Sequence, residues 1–374
     1  MRCKLKIAIV HDFLNQYGGA ERVIEALHVV YPDAPIYTSI YLSDNLPESF
    51  KKMDIRTSFM QKLPFLKKHF KKYLPLYPMA FESFNLKEYD IILSSSSAFA
   101  KGVQKATGAC HVCYCYTPMR FAWDYDNYIA KECFGNLERQ LLPFVISKLK
   151  KWDLETKDRV DHYIAISDNI RKRIKRCYGR DSSVIYPPVN TGNFKIARKV
   201  GDSFLVVSRL NAYKQIDIVI NAFNGLKLPL KIIGDGPARK SLERSAASNI
   251  QFLGKVDDIA LAEHYAQCRA FIFPGEEDFG IAPVEAQAAG RPVIAYAAGG
   301  ALETVIEGVT GVFFHEPNSE SVAKAVRRLM EIERSFEPRK IRENAIRFDR
   351  AIFMREIKEY IHNLFSDVIN SSGG

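Results

Sequence analysis

The chain has 374 residues, 47% of them apolar and 26% charged, which excludes collagen-like, disulfide-stapled and generally disordered classes. At roughly 150 residues per domain there is material for two to three domains with sizeable cores. Lysine and arginine number 53 against 43 acids, and the net charge of +10 points to a polyanionic partner: nucleic acid, an anionic membrane face or a phosphorylated substrate.

Lys6–Val10 reads as a buried first strand, so no cleavable leader is expected, and no run of about 18 apolar residues suggests a spanning helix. The loop His11–Gly19 leads into a helix over Ala20–Val30, with Val23, Leu27 and Val30 on one face. Strand, glycine loop and helix in that order open a doubly wound sheet. Ile91–Leu93 is a short strand followed by four serines, Ser94–Ser97; His111–Tyr116 and Asp161–Ser167 are further strands, and Asp168–Tyr178 is a basic helix. Cys110-x-x-Cys113 invites a zinc or redox reading, but no second such pair completes a site, and buried reduced thiols are expected.

Pro187-Pro188 forbids a helix, and the polar stretch Gly192–Gly201 reads as a linker. Beyond it strands at Phe204–Val207, Leu230–Ile233, Ile250–Leu253, Ala270–Phe273 and Pro292–Tyr296 alternate with helices at Lys214–Asn224, Ala238–Ser245, Ile259–Gln267 and Ala282–Ala289. That rhythm argues a second parallel sheet. Helices Ser319–Met330 and Ala351–Leu364 end the pattern. The expected fold class is α/β, with two Rossmann-like doubly wound domains facing a cleft. The expected domains are 1–185, 186–345 and a C-terminal helix, 346–370, that can cross back to the first domain.

Ligands of parallel sheets bind outside the carboxyl ends of the strands. Three loops there carry chemistry. Arg209 and Lys214 flank a helix start, where two cations would hold a diphosphate; the alternative is a solvated basic loop. Gly234-Asp235-Gly236-Pro237 is a tight turn that lets backbone approach a ligand. The acidic segment Pro274–Glu285 places Glu277 in a loop and Glu285 in an early helical turn, where carboxylates suit vicinal hydroxyls. The amides of Gly280, Ile281 and Ala282 would meet a phosphate or sugar oxygen. A carboxylate helix cap beside a solvated acid is the competing account. Gly18-Gly19 opens the first helix in the same manner.

These residues resemble a known family. Glu277 and Glu285 with Phe279-Gly280 and Pro283 between them, preceded by Arg209, Lys214 and the Gly234–Pro237 turn and followed by Gly299-Gly300, Glu303 and Gly308–Gly311, resemble the signature of family 4 retaining glycosyltransferases. Gly18-Gly19-Ala20-Glu21-Arg22-Val23 also resembles that family, and Thr117–Asp124 resembles its mannosyltransferase branch in O-antigen and capsule assembly. The resemblance covers roughly residues 5–365. It implies a GT-B fold, a nucleoside-diphosphate sugar as donor, retention at the anomeric carbon, and neither metal nor cofactor. By position, Arg209, Lys214 and Glu277 would be catalytic; Gly19, Gly234, Gly236, Phe279, Gly280, Ile281, Ala282 and Glu285 would bind the donor; Tyr116 and Arg120 would lie on the acceptor side. The branch has His where this chain has Tyr116. Asp124-Tyr125-Asp126 matches a manganese-binding pattern of a different transferase fold, but follows an acceptor-side loop.

Eight of the basic residues crowd into Lys51–Lys72 against one acid, Asp54, interleaved with Met60, Phe65, Leu66, Phe70 and Tyr73. Such a stretch suits an anionic membrane surface; a solvated face on a packed segment is the alternative. No base-reading motif accompanies it, so no nucleic-acid partner is expected. The resulting expectation is an enzyme at the cytoplasmic face of the cell membrane, moving mannose or a related deoxyhexose from a GDP donor to a lipid-linked glycan. The rivals are a scaffold that binds the donor without turnover, and a dinucleotide-dependent oxidoreductase, against which stands the lack of Gly-x-Gly-x-x-Gly after the first strand.

Overall fold

The structure, a computed structural model, describes residues 5–124 and 136–371. The chain divides into two compact units: the part up to Tyr186 together with the segment from Met354 onward, and Pro187–Phe353.

The first unit holds a seven-stranded sheet of β1 (Ile7–His11), β2 (Ile36–Thr38), β3 (Ile55–Thr57), β4 (Ile91–Ser96), β5 (Cys110–Cys115), β6 (His162–Ala165) and β7 (Ser182–Val184), in the order β3-β2-β1-β4-β5-β6-β7. Every pairing is parallel. The order reverses between β1 and β4, which opens a crevice at their carboxyl ends. β1 and β4 are buried throughout, hence their unbroken apolar or small-residue runs. Behind them Lys101 is 2% exposed; its Nζ lies 3.1 Å from Asp153 Oδ1 and donates to Thr156 Oγ1 at 2.8 Å. Asp153 also accepts from Trp123 Nε1 and Tyr178 Oη. Thus a buried ion pair is closed by neutral donors.

In the second unit β8 (Phe204–Val207), β9 (Leu230–Ile233), β10 (Ile250–Gly254), β11 (Phe271–Phe273), β12 (Val293–Tyr296) and β13 (Gly311–Phe314) run in the order β10-β9-β8-β11-β12-β13, all parallel. Here the reversal lies between β8 and β11. The strands and the helices 216–226 and 319–331 share one apolar core, including Phe204, Phe223, Ile232, Val312 and Leu329. The two parallel sheets are the α/β architecture that the sequence suggests.

Two local expectations change, those for Gly192–Gly201 and for Lys214. Gly192–Gly201 is no free linker: Phe194 is buried against Tyr265, and Arg342 Nη1 donates to its carbonyl. Lys214 does not open a helix; it ends a 3₁₀ turn, and Gln215 at φ +56° separates it from the helix Ile216–Leu226. Cys110 and Cys113 lie three apart on β5, so their side chains take opposite faces of the sheet and cannot share a metal. The cysteines described are free.

Candidate active site

At the β8–β11 reversal the loops expected to carry chemistry are assembled by close backbone contact. A Cβ on Gly234, at φ +127°, would lie 1.9 Å from Ser208 O, and one on Gly236 would lie 2.5 Å from Leu210 O. The Gly234–Pro237 turn is therefore glycine-rich because it rests on the Arg209 loop. A Cβ on Gly299 would lie 2.3 Å from Glu277 O, and one on Gly300 would lie 2.3 Å from Phe279 Cα; Gly300 N also donates to Glu277 O at 2.8 Å. The pair Gly299-Gly300 backs the acidic loop, as the spacing alone did not reveal.

Lys214 Nζ and Glu277 Oε1 form an ion pair across these loops, both side chains retaining some exposure. Together with Ser208, Pro274 and Gly275 they line a small cavity over the ends of β8 and β11. Arg209 is exposed on the same loop as Lys214. Glu285 lies in the helix Ile281–Ala288, 5% exposed, and its Oε2 accepts from Tyr265 Oη at 3.0 Å. Gly280, at φ +91°, turns the chain into that helix, so Ile281 and Ala282 stand at its first turn. The ring of Phe279 is 3% exposed and meets Phe348 edge-on at 5.4 Å. Its side chain therefore anchors the loop and leaves only main-chain atoms for a ligand.

The first unit furnishes its own reversal differently. Asp12, just past β1, accepts from the amides of Ser97, Ala98, Phe99 and Ala100 at 2.6–3.0 Å, and from Ser97 Oγ at 2.8 Å. This carboxylate fixes the turn that leaves β4, holding Ser97 of the four serines by both its amide and its hydroxyl. Beside it His11 Nδ1 lies 3.2 Å from Ser95 O and 3.1 Å from Ser95 Oγ, while Nε2 lies 3.8 Å from Glu21 Oε1. Tyr116 Oη lies 2.7 Å from Ser95 Oγ and 3.2 Å from Ala20 O. Burial pushes the Tyr116 phenol well above its usual 10, so it is a neutral donor at ordinary pH. Arg120 opens a short helix, Arg120–Trp123. His11, Ser95 and Glu21 were not singled out as site residues by the sequence reading; their signals were a histidine after the first strand, an unexplained serine run and the place of Glu21 in the Gly18–Val23 motif.

Tyr125 and Asp126 of the Asp-x-Asp pattern lie outside the described residues. Among the described residues no cluster of histidine, cysteine and carboxylate could hold a metal ion, and no helix is long and apolar enough to cross a membrane.

Family models match both halves of the chain: "Glycosyltransferase Family 4" over residues 17–193 and "Glycosyl transferases group 1" over 194–348. The chain is a family 4 glycosyltransferase of the GT-B fold. The D-rhamnosyltransferase WbpZ of Pseudomonas aeruginosa is 30% identical over 184 residues, covering 46% of this chain and 48% of that protein. A GDP-mannose-dependent alpha-(1-6)-phosphatidylinositol monomannoside mannosyltransferase of Mycobacterium tuberculosis is 31% identical over 205 residues, covering 46% and 53%. The chain thus spans about half the length of the curated relatives it matches. Among solved structures, Anabaena HepE in complex with UDP aligns with a TM-score of 0.71 at 19% identity, covering 96% of this chain and 100% of that one. Sucrose-phosphate synthase of Thermosynechococcus elongatus aligns at 0.75 and 16% identity, covering 97% and 100%. At these identities the likeness speaks for the fold.

Proposed function

We propose that this glycosyltransferase moves a hexose, mannose or a related deoxyhexose, from a GDP donor to a lipid-linked glycan of surface polysaccharide, with retention and without a metal. The observation that carries the reading is the Lys214–Glu277 pair held over the β8–β11 reversal, inside the segment that matches the group 1 family model. Arg209 and Lys214 offset the charge of the departing diphosphate, which a metal would otherwise do. Glu277 accepts from hydroxyls of the sugar, Glu285 from those of the ribose, and the Gly280–Ala282 amides face the donor. Gly19 is a further donor contact by the family resemblance, and Tyr116 and Arg120 stand on the acceptor side. The bond from the anomeric carbon to the diphosphate oxygen breaks, the acceptor oxygen bonds to that carbon on the same face, and its proton passes to the leaving phosphate. The donor choice is supported by the relatives named for GDP-mannose and D-rhamnose.

The membrane side of this reading rests on Lys51–Lys72. There Met60 and Leu66 turn into the core of the first unit, whereas Phe65 is 77% exposed and held at φ +55°, with Lys62 and Lys67 exposed around it. An outward aromatic in the left-handed region, with exposed lysines near it in the chain, suits an anionic lipid surface.

Calorimetric titration with GDP-mannose, GDP, UDP-glucose and UDP tests the donor: tighter binding of the guanine compounds is expected, and binding of the uridine compounds alone overturns that part. Slow release of free sugar from the bound donor separates an enzyme from a scaffold, which would release none. Vesicles of anionic lipid should sediment the protein at low salt and release it at high salt; indifference to lipid charge removes the membrane part.

A further inference from the structure

The hydroxyl of Tyr116 is engaged by the protein itself, and the direction of each bond in its surroundings can be worked out. Ala20 O is a carbonyl and can only accept, so Tyr116 Oη donates to it at 3.2 Å. Having spent its one proton there, Tyr116 Oη must accept from Ser95 Oγ at 2.7 Å. Ser95 O is likewise only an acceptor, which makes His11 Nδ1 the protonated nitrogen, shared between Ser95 O and Ser95 Oγ. His11 Nε2 then faces Glu21 Oε1, with both side chains buried at 3% and 4% exposure. The result is one directed relay, His11 to Ser95 to Tyr116 to Ala20 O, and its two ends, Ala20 and Glu21, are consecutive residues of the first turn of the helix Gly19–Val30. That helix begins at Gly19, has no side-chain cap, and follows Gly18 in extended conformation. Its first turn is therefore held from the sheet rather than from its own cap.

We propose that Tyr116 is a positioning residue: aligned by Ser95 and His11, its hydroxyl fixes the first helical turn, and with it Gly19, at the β1–β4 reversal. The proposal rests on the reading of Gly19 as a donor contact. It differs from a direct contact between Tyr116 and substrate, because it makes Ser95, which is fully buried, as important as Tyr116.

The test compares Tyr116→Phe, Ser95→Ala and the double variant. Each single change removes two hydrogen bonds of the relay, the one between Ser95 and Tyr116 being common to both, and should raise the KM for the sugar nucleotide about tenfold; the double variant should be no worse than the poorer single one. Loss in Tyr116→Phe with normal kinetics in Ser95→Ala would overturn the proposal in favour of direct contact. A fall in melting temperature with KM unmoved would overturn it in favour of a merely structural bond. Amide hydrogen exchange gives a readout independent of turnover: the amides of Arg22, Val23 and Ile24 should exchange about tenfold faster in both variants. Unchanged exchange sinks the positioning role, whereas faster exchange in a protein that turns over no sugar nucleotide would leave positioning standing and remove the transferase reading.

Discussion

Two lysine–carboxylate pairs, Lys101–Asp153 in the first unit and Lys214–Glu277 in the second, are treated in opposite ways. Lys101 and Asp153 are 2% and 0% exposed, surrounded by Thr156, Trp123 and Tyr178. Lys214 and Glu277 keep 19% and 24% of their side-chain surface and lie over a cavity. Desolvated charges must find all their partners inside the protein, so the first pair is committed to the scaffold. The second remains in reach of water, and a ligand can exchange for one of its partners. The same chemistry serves as a fastening in one sheet and, on the proposed function, as a receptive site in the other, with burial making the difference.

The sharpest break of that comparison is Lys101→Met. It strands a buried carboxylate and should cost about 3–5 kcal/mol, read as a loss of folded first unit in urea titration; a cost below about 1 kcal/mol would erase the contrast. Next, Lys214→Ala or Arg209→Ala should lower kcat on the order of a hundredfold or more while the melting temperature barely moves. A third effect belongs to the first unit. Burial holds the His111 imidazole at about 4, below its ordinary 6.5, while its Nε2 bonds Ser94 Oγ at 2.8 Å. The unfolded chain then takes up a proton that the folded one refuses, so stability is complete above the unfolded value and is lost as pH falls from 6.5 toward 4. About 2 kcal/mol should disappear between about pH 7.5 and about pH 5, measured as a shift in urea midpoint that His111→Gln reduces. The smallest effect is that of Glu277→Gln on stability, about 1 kcal/mol or less for a partly exposed pair. A large loss there would show that the second pair, too, is a fastening.

Much of this was legible in the chain. β1, β4, β5, β8, β9 and β11 announced themselves because strands covered on both faces read as unbroken runs of apolar or small residues. β2, β3 and β7 did not: each is three residues, and β3 and β7 are only partly covered, so they carry no unbroken apolar run. β13, behind the Gly308–Gly311 turn, was absorbed into its glycine pattern. The loops after β8 and β11 could be assigned to one site because parallel topology puts all loop exits on one edge. The relay at Tyr116 could not be seen, since it depends on register: His11 pairs with Ser95, and Ser96 with Cys115, across strands 84 and 19 residues apart in the chain. The helix was begun at Lys214, two residues before its start at Ile216, because nothing in the sequence marks Gln215 as a left-handed residue. The anchoring ring of Phe279 was read as a ligand contact for want of its partner Phe348, far along the chain.

The seat of Glu277 on Gly299-Gly300 limits how this loop can diversify. With main chain lying against main chain at 2.3 Å from any added carbon, there is no slack to absorb an inserted residue, and the acidic segment and its glycine backing can only be exchanged as a matched cassette. Altered sugar preference is then expected to come from swapping the side chains at Glu276, Glu277 and Asp278 on an unchanged track, a route that directed evolution of this enzyme could follow with small libraries.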